Sequence, residues 1–150
     1  MAERHHVHTW VSVHYAVKAV VKLDDGKEFD GNFSFVVNSS PKRFSADTSC
    51  HVVPMEGEAI STNFSITCSG WHDEDKPLTY EFRYQDKYGM VIIQVGNLNK
   101  VTTKLPVGEA SNEYALVLEA LVGDSYQDFT ATRLLVKVPV TSIMRRTCNI

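Results

Sequence analysis

Along most of this chain apolar side chains recur at every second position, a period that fits extended strands and leaves little room for helices. Val11, Val13, Tyr15, Val17, Ala19, Val21 and Leu23 alternate with the polar Ser12, His14, Lys18 and Lys22 until Asp24-Asp25-Gly26 interrupts the row. Phe33, Phe35 and Val37 resume it, so residues 11–23 and 32–37 read as an antiparallel hairpin closed by a turn. From Asn38 to Ser49 the chain is polar, aperiodic and broken by Pro41, the composition of a linker between two units. Alternation then returns in Cys50 to Val53, in Phe64, Ile66 and Cys68, and in Leu78, Tyr80, Phe82 and Tyr84. It continues through Val91 to Val95, Thr102 to Leu105, residues 114–122 and residues 131–138. Tyr114, Leu116, Leu118, Ala120 and Val122 share one face there, and Leu134, Val136 and Val138 belong to the return strand.

Seven half-apolar strands separated by turn signals can bury their faces only against each other, which predicts an all-β, immunoglobulin-like β-sandwich over residues 44–139 with a tail at 140–150. Tyr15-Ala16-Val17, a strand, Asp24-Asp25-Gly26 and a second strand resemble Tyr114-Ala115-Leu116, a strand, Gly123-Asp124-Ser125 and a second strand, at an offset of 99 residues. That spacing is one sandwich length, so residues 1–38 are expected to be the closing hairpin of a preceding domain of the same type. An orphan hairpin exposes apolar surface and strand edges, and a dimer through it is a further expectation.

Charge and cysteines narrow the partners and the compartment. With 18 acidic residues against 15 basic ones and no basic stripe, the chain offers nothing that would condense on a phosphate backbone, so nucleic acid is not an expected partner. Lys18, Lys22 and Asp24 interrupt the longest apolar tract near the N-terminus, which rules it out as a membrane helix. Met1-Ala2-Glu3-Arg4-His5-His6 lacks the apolar run of a secretory signal, which an isolated fragment or incomplete reading frame explains as well as a cytosolic protein does. Three cysteines, Cys50, Cys68 and Cys148, allow at most one internal bridge; Cys50 with Cys68 is the pairing we favour, with one thiol left over. Sequons at Asn32, Asn38 and Asn63 point to the same oxidising, extracellular compartment.

One segment is more specific than any of these patterns. It runs Cys50-His51-Val52-Val53-Pro54, then Gly57-Glu58-Ala59, Phe64-Ser65-Ile66-Thr67-Cys68-Ser69-Gly70-Trp71, the acidic Asp73-Glu74-Asp75, and Pro77-Leu78-Thr79-Tyr80-Glu81-Phe82. This resembles the receptor-for-egg-jelly (REJ) module of the polycystin family and its sperm-receptor relatives. The resemblance implies fibronectin type III-like sandwiches, a Cys50–Cys68 bridge, and a large glycosylated membrane protein whose ectodomain serves adhesion, ligand recognition or force transmission. Partners would be extracellular protein or glycan ligands and the neighbouring domains of the parent chain. Leu105-Pro106 and Tyr114 also look like the corner of a fibronectin type III domain, where a tyrosine hydroxyl reaches back to upstream backbone. The chain departs from the family in lacking a double proline after Asn38, and it carries no autoproteolysis motif and no channel segment.

Few residues suggest chemistry, and no enzyme and no cofactor are expected. His5, His6, His8 and His14 are potential ligands, but their spacing fits no structural zinc site and they read as a solvated terminus. Asp73, Glu74 and Asp75 form an acidic turn that is solvated on the plainer reading and a calcium site on the sharper one, since hard cations take several oxygens. With exposed aromatics such as Tyr84 or Tyr88, that turn supports an alternative function, a calcium-dependent carbohydrate-binding sandwich. Trp71, three residues beyond Cys68, is expected to pack in the core with Tyr80, Phe82 and Tyr114. Cys148 lies near Arg145 and Arg146, which would lower its thiol pKa, although a tail cysteine needs no such role.

Overall fold

A computed structural model of the chain describes residues 13–44 and 49–140. They form two units that divide between Ser39 and Ser40.

The first unit is a hairpin of β1 (Val13–Lys22) and β2 (Glu28–Val37), in register from Val13 opposite Val37 to Lys22 opposite Glu28. Its second strand starts four residues earlier than the apolar pattern predicts. Glu28 and Asp30 are polar but stand on the face of Lys22 and Lys18, and ion pairs Lys22–Glu28 and Lys18–Asp30 extend the ladder where apolar alternation gave no signal. The other face is apolar, with Tyr15 stacked on Phe35 at 5.5 Å between ring centroids. Phe33, on that same face, is 67% exposed.

In the second unit β3 (Lys42–Arg43), β4 (Cys50–Val53), β5 (Asn63–Cys68), β6 (Trp71–His72), β7 (Thr79–Asp86), β8 (Gly89–Gly96), β9 (Lys100–Lys104), β10 (Ala115–Gly123) and β11 (Phe129–Lys137) follow in order. β4-β5-β9 form one antiparallel sheet and β11-β10-β7-β8 another, while β3 pairs with β6. A three-stranded sheet facing a four-stranded one with these connections is the fibronectin type III-like sandwich. Among the described residues a single 3-10 turn, Ala110–Asn112, is the only helical element. Alternation decides the core: Val52, Phe64 and Ile66 from one sheet meet Phe82, Leu116, Leu118, Ala120, Val122 and Val136 from the other, all buried. Each large side chain so buried contributes roughly 1.5–3 kcal/mol.

The stretch expected as a linker contributes to this unit. Pro41 is fully buried, its carbonyl accepts a hydrogen bond from Thr130 Oγ1 at 2.6 Å, and Lys42–Arg43 pair with Trp71–His72. A two-residue strand has no period, so the sequence pattern could not reveal it. Past Pro54 the chain leaves β4 and crosses to the end of β11, where Lys137 N donates to Met55 O, Gly57 N to Lys137 O and Ala59 N to Pro139 O. The crossing ties the two sheets together and pairs with the C-terminal end of β11.

Tyr114 corrects a sequence expectation. It is half-buried and precedes β10 with φ 62°, next to Glu113 at φ 50°, so it does not continue the inward row of Leu116 and Leu118. It holds the corner by its main chain: its N–H donates to Glu109 O at 2.9 Å and its carbonyl accepts from Val138 N at 2.8 Å. Its hydroxyl makes no hydrogen bond among the described residues. Gly108 is required there, because a methyl group on it would collide with the Tyr114 carbonyl.

The internal repeat is closer in geometry than in letters. β1–β2 and β10–β11 are both closed by five-residue loops, 23–27 and 124–128, so the offset is 101 residues and not 99 (Lys22 to Gly123, Glu28 to Phe129). Gly26 and Gln127 occupy the same loop position with φ 84° and 66°. Leu23 N to Lys27 O and Asp124 N to Asp128 O close the two loops alike. With that offset Tyr15, Val17, Ala19 and Val21 match Leu116, Leu118, Ala120 and Val122, and Phe35 and Val37 match Val136 and Val138.

Candidate functional site

Two turns meet at one end of the sandwich, and both are organised by carboxylates. In the turn between β6 and β7, Asp75 N donates to Asp73 Oδ1 at 2.9 Å. In the β10–β11 turn Asp124 Oδ1 accepts from Tyr126 N at 2.8 Å and from Asp128 N at 3.0 Å. Ser125 N donates to Asp75 O at 3.1 Å and ties one turn to the other. As a result, one carboxylate oxygen each from Asp73, Asp75 and Asp124 lies within 4.8 Å of the other two. Asp73 and Asp124 are 7% and 2% exposed, so the charges stand in poorly solvated surroundings. The Asp75 carboxyl is pushed above its ordinary pKa, first by burial and then by the negative charges of Asp73, Asp124 and Glu74.

Asp73 and Asp75 of the expected acidic trio thus come together, while Glu74 stands outside the converging group and Asp124 takes its place. Asp124 lies 49 residues beyond Asp75, in a turn that reads from sequence only as a strand stop. Oxygen donors suit a hard cation such as calcium rather than zinc. Three side-chain oxygens are at most half of the six to eight that calcium takes, so main chain or water would have to supply the rest.

A second organised group lies on the outer face of the four-stranded sheet. Glu119 points away from the core yet is buried, because Arg83 Nε and Nη2 donate to its Oε2 at 2.8 and 2.5 Å and Arg133 Nε to its Oε1 at 3.2 Å. Arg83 also pairs with Glu81 at 3.2 Å. The Arg83 hydrogen bond is the main reason the Glu119 carboxyl titrates below its usual range, and the same bond raises the Arg83 guanidinium. Nothing in the linear sequence marks this group; Arg83 stands opposite Glu119, and Glu119 opposite Arg133, only once the register is known.

Cys50 and Cys68 face each other across β4–β5 and are joined, both buried, with Cα atoms 4.0 Å apart. Asn99 grips the second cysteine from β9's side, its Nδ2 donating to Cys68 O and its carbonyl accepting from Cys68 N, each at 2.8 Å. Phe82 is fully buried, and Trp71, Tyr80 and Tyr84 are half-buried and packed against the core. Tyr84 is therefore no exposed anchor, whereas Tyr88 is fully displayed with Lys87 Nζ 4.7 Å above its ring. Of the sequon asparagines, Asn32 and Asn63 are exposed and Asn38 is half-buried. His14 is exposed on β1; His5, His6, His8, Arg145, Arg146 and Cys148 lie outside the described residues.

Fold and sites together define an all-β sandwich module with an internal disulfide, linked to a hairpin of the same design. The family model described as REJ domain matches residues 7–145, and the chain belongs to that family. It is 29% identical over 114 residues to the human "Polycystin family receptor for egg jelly". The match takes in 67% of this chain and 5% of that protein, so the chain corresponds to a small part of its relative's length. No solved structure matches.

Proposed function

We propose that the chain is a non-catalytic part of an extracellular ectodomain in which like sandwiches follow one another, serving adhesion, ligand recognition or force transmission. The observation that carries this reading is the hairpin's duplication of β10–β11 in register, loop length and apolar face. On β10–β11 that face is buried against the three-stranded sheet. On β1–β2 it is open, as suits the closing strand pair of a preceding sandwich completed by chain upstream. The resemblance to a receptor, the buried disulfide and the exposed sequons at Asn32 and Asn63 favour the cell exterior. Partners on this reading are extracellular protein or glycan ligands and the adjoining domains.

Secretion of the chain from a eukaryotic host, followed by mass measurement before and after reduction and deglycosylation, tests the proposal. Reduction should free the thiols of Cys50 and Cys68, and glycosidase treatment should remove mass from Asn32 and Asn63. Secreted protein with both thiols already free and both asparagines bare counts against it.

A second reading, a calcium-dependent carbohydrate-binding sandwich, is favoured by the convergence of Asp73, Asp75 and Asp124 and by the displayed Tyr88. Calorimetric titration with calcium separates the two. Neither heat nor a melting shift at millimolar metal removes the second.

A further inference from the structure

Sheet edges present unpaired main-chain groups, and soluble β-proteins blunt them with charge, proline, short length or a covering segment. This sandwich does so at three of its four edges. β9 carries Lys100 and Lys104 at its two ends, β4 has four residues and is followed by Pro54, and β11 carries Arg133 and Lys137 and is met at its C-terminal end by main-chain bonds between Lys137 and Met55 and Gly57. Among the described residues β8 is the exception: eight residues, Gly-Met-Val-Ile-Ile-Gln-Val-Gly, without a charge, a proline or a covering segment, and with a bulge as its one interruption. Opposite Phe82/Arg83 the register shifts, which breaks the alternation within β8. Ile92 therefore stands opposite Arg83 and Val95 opposite Glu81, so both point to the outer face, where they are 58% and 61% exposed.

We propose that β8 is a self-docking edge, pairing antiparallel with β8 of a second copy across a two-fold axis and merging the two four-stranded sheets into one. The occupant follows from the strand's chemistry. A neutral strand meets its own copy without like charges, whereas an edge built like β9 would bring lysines to an apolar row. Pairing about a point between Ile93 and Gln94 sets Ile92 opposite the partner's Val95 on both sides of the axis, which is the self-complementarity a two-fold interface requires. The paired faces stay in register because the bulge has already turned both residues outward. This association does not rest on the reading of the chain as extracellular. If the hairpin face is covered by an upstream sandwich, as proposed above, β8 remains the open edge through which two ectodomains associate side by side. A single strand pair is a small interface, so the dimer belongs to the weak, concentration-dependent class.

Sedimentation of the full chain from micromolar to near-millimolar concentration tests this, alongside Ile92→Lys, Val95→Lys and Phe33→Lys. The chain itself and Phe33→Lys should dimerise, while the two β8 variants stay monomeric with unchanged melting temperatures, since both side chains already face solvent. Hydrogen exchange provides a readout free of mutation: β8 amides should gain protection as concentration rises. A chain that is monomeric throughout overturns the proposal. So does a dimer that survives both β8 variants, or one lost in Phe33→Lys alone, which would place the contact on the hairpin. β8 exchange that ignores concentration overturns it equally.

Discussion

Reduction of the Cys50–Cys68 bridge should destabilise the sandwich by about 3 kcal/mol, the chain-entropy value for the 18-residue separation it closes. Thiols occupy nearly the volume of the disulfide, so reduction is a cleaner perturbation than a double alanine variant, which would also open a cavity at two buried positions. In the folded protein the two residues are opposite one another in the β4–β5 ladder, which also pairs His51, Val52 and Val53 with Thr67, Ile66 and Ser65 and so does not depend on the covalent link alone. The effect should therefore reside mainly in the unfolded chain, which gains freedom when the loop opens. For a domain of this size about 3 kcal/mol corresponds to a melting temperature lower by roughly 12–24 °C, or a urea midpoint lower by roughly 1–3 M. Because both cysteines are buried, reductant must be added to unfolded protein and kept present during refolding. Urea melts of the oxidised and reduced chains then give midpoint and slope together. The slope should rise on reduction, since the unfolded state exposes more surface once the loop is released. Unfolding free energies within about 1 kcal/mol of each other would falsify the entropic argument, and a lower midpoint with an unchanged slope would move the effect into native packing.

Other perturbations separate the remaining claims. Glu119 titrates below its ordinary value of 4.5, chiefly through the Arg83 hydrogen bond, so its contribution is present above that pH and is lost as pH falls through the folded pKa. Glu119→Gln should flatten the acid limb of a stability–pH profile and cost about 1–3 kcal/mol at neutral pH by taking the charged acceptor away from Arg83 and Arg133; an acid limb as steep as the parent's refutes it. Asp75 is shifted the other way, by burial first and by Asp73 and Asp124 next, so its stabilising contribution exists below the ordinary carboxylate range and disappears as pH rises through the folded pKa. Asp75→Asn should accordingly melt higher than the parent in chelator at neutral pH. On the calcium reading, millimolar calcium raises the parent's melting temperature and leaves Asp75→Asn and Asp124→Asn unmoved; a parent indifferent to calcium removes the metal while the chelator comparison still tests the repulsion. Phe82→Ala should cost about 3–5 kcal/mol and Phe33→Ala no more than about 0.5 kcal/mol, measured by denaturant melts, because one ring is in a closed core and the other is exposed. Comparable losses would mean that the hairpin face is not open in this chain.

What the sequence disclosed was whatever depends on period two. Phe64, Ile66 and Cys68, then Leu116, Leu118, Ala120 and Val122, alternate cleanly and are buried as alternation requires. Extrapolation failed wherever the backbone departs from the pleat. Tyr114 stands two residues before Leu116, but left-handed turns at Glu113 and Tyr114 take it out of the row. The register shift at Phe82/Arg83 turns Val95 outward when simple counting from Val91 would leave it inward. Contacts made through the main chain, such as Lys42–Arg43 on β6 or Met55 and Gly57 on Lys137, leave no periodic signature in the sequence. The acidic site was half legible for a related reason. Asp73 and Asp75 are neighbours in sequence, but Asp124 joins them only because strand pairing brings the β10–β11 turn beside theirs.

The same distinction explains why the repeat was visible in letters at an offset of 99 residues and lies in geometry at 101. Matching Tyr15-Ala16 to Tyr114-Ala115 aligns similar residues but puts Val21 on Ala120 and Phe29 on Asp128, mixing strand with loop. Matching the five-residue loops aligns every inward position instead. It also exposes a difference in volume: Tyr15 and Phe35 stand where the complete sandwich has Leu116 and Val136, and Phe33 where it has Leu134. Interiors fill to nearly constant density, so larger side chains on one sheet demand smaller ones on the sheet facing it. The three-stranded sheet of this unit offers Val52, Phe64 and Ile66 to its partners. On the proposed tandem arrangement, the sheet that covers Tyr15, Phe33 and Phe35 must present smaller residues than Phe64 and Ile66 at the equivalent positions, and an upstream sandwich with equally bulky ones could not close over this hairpin.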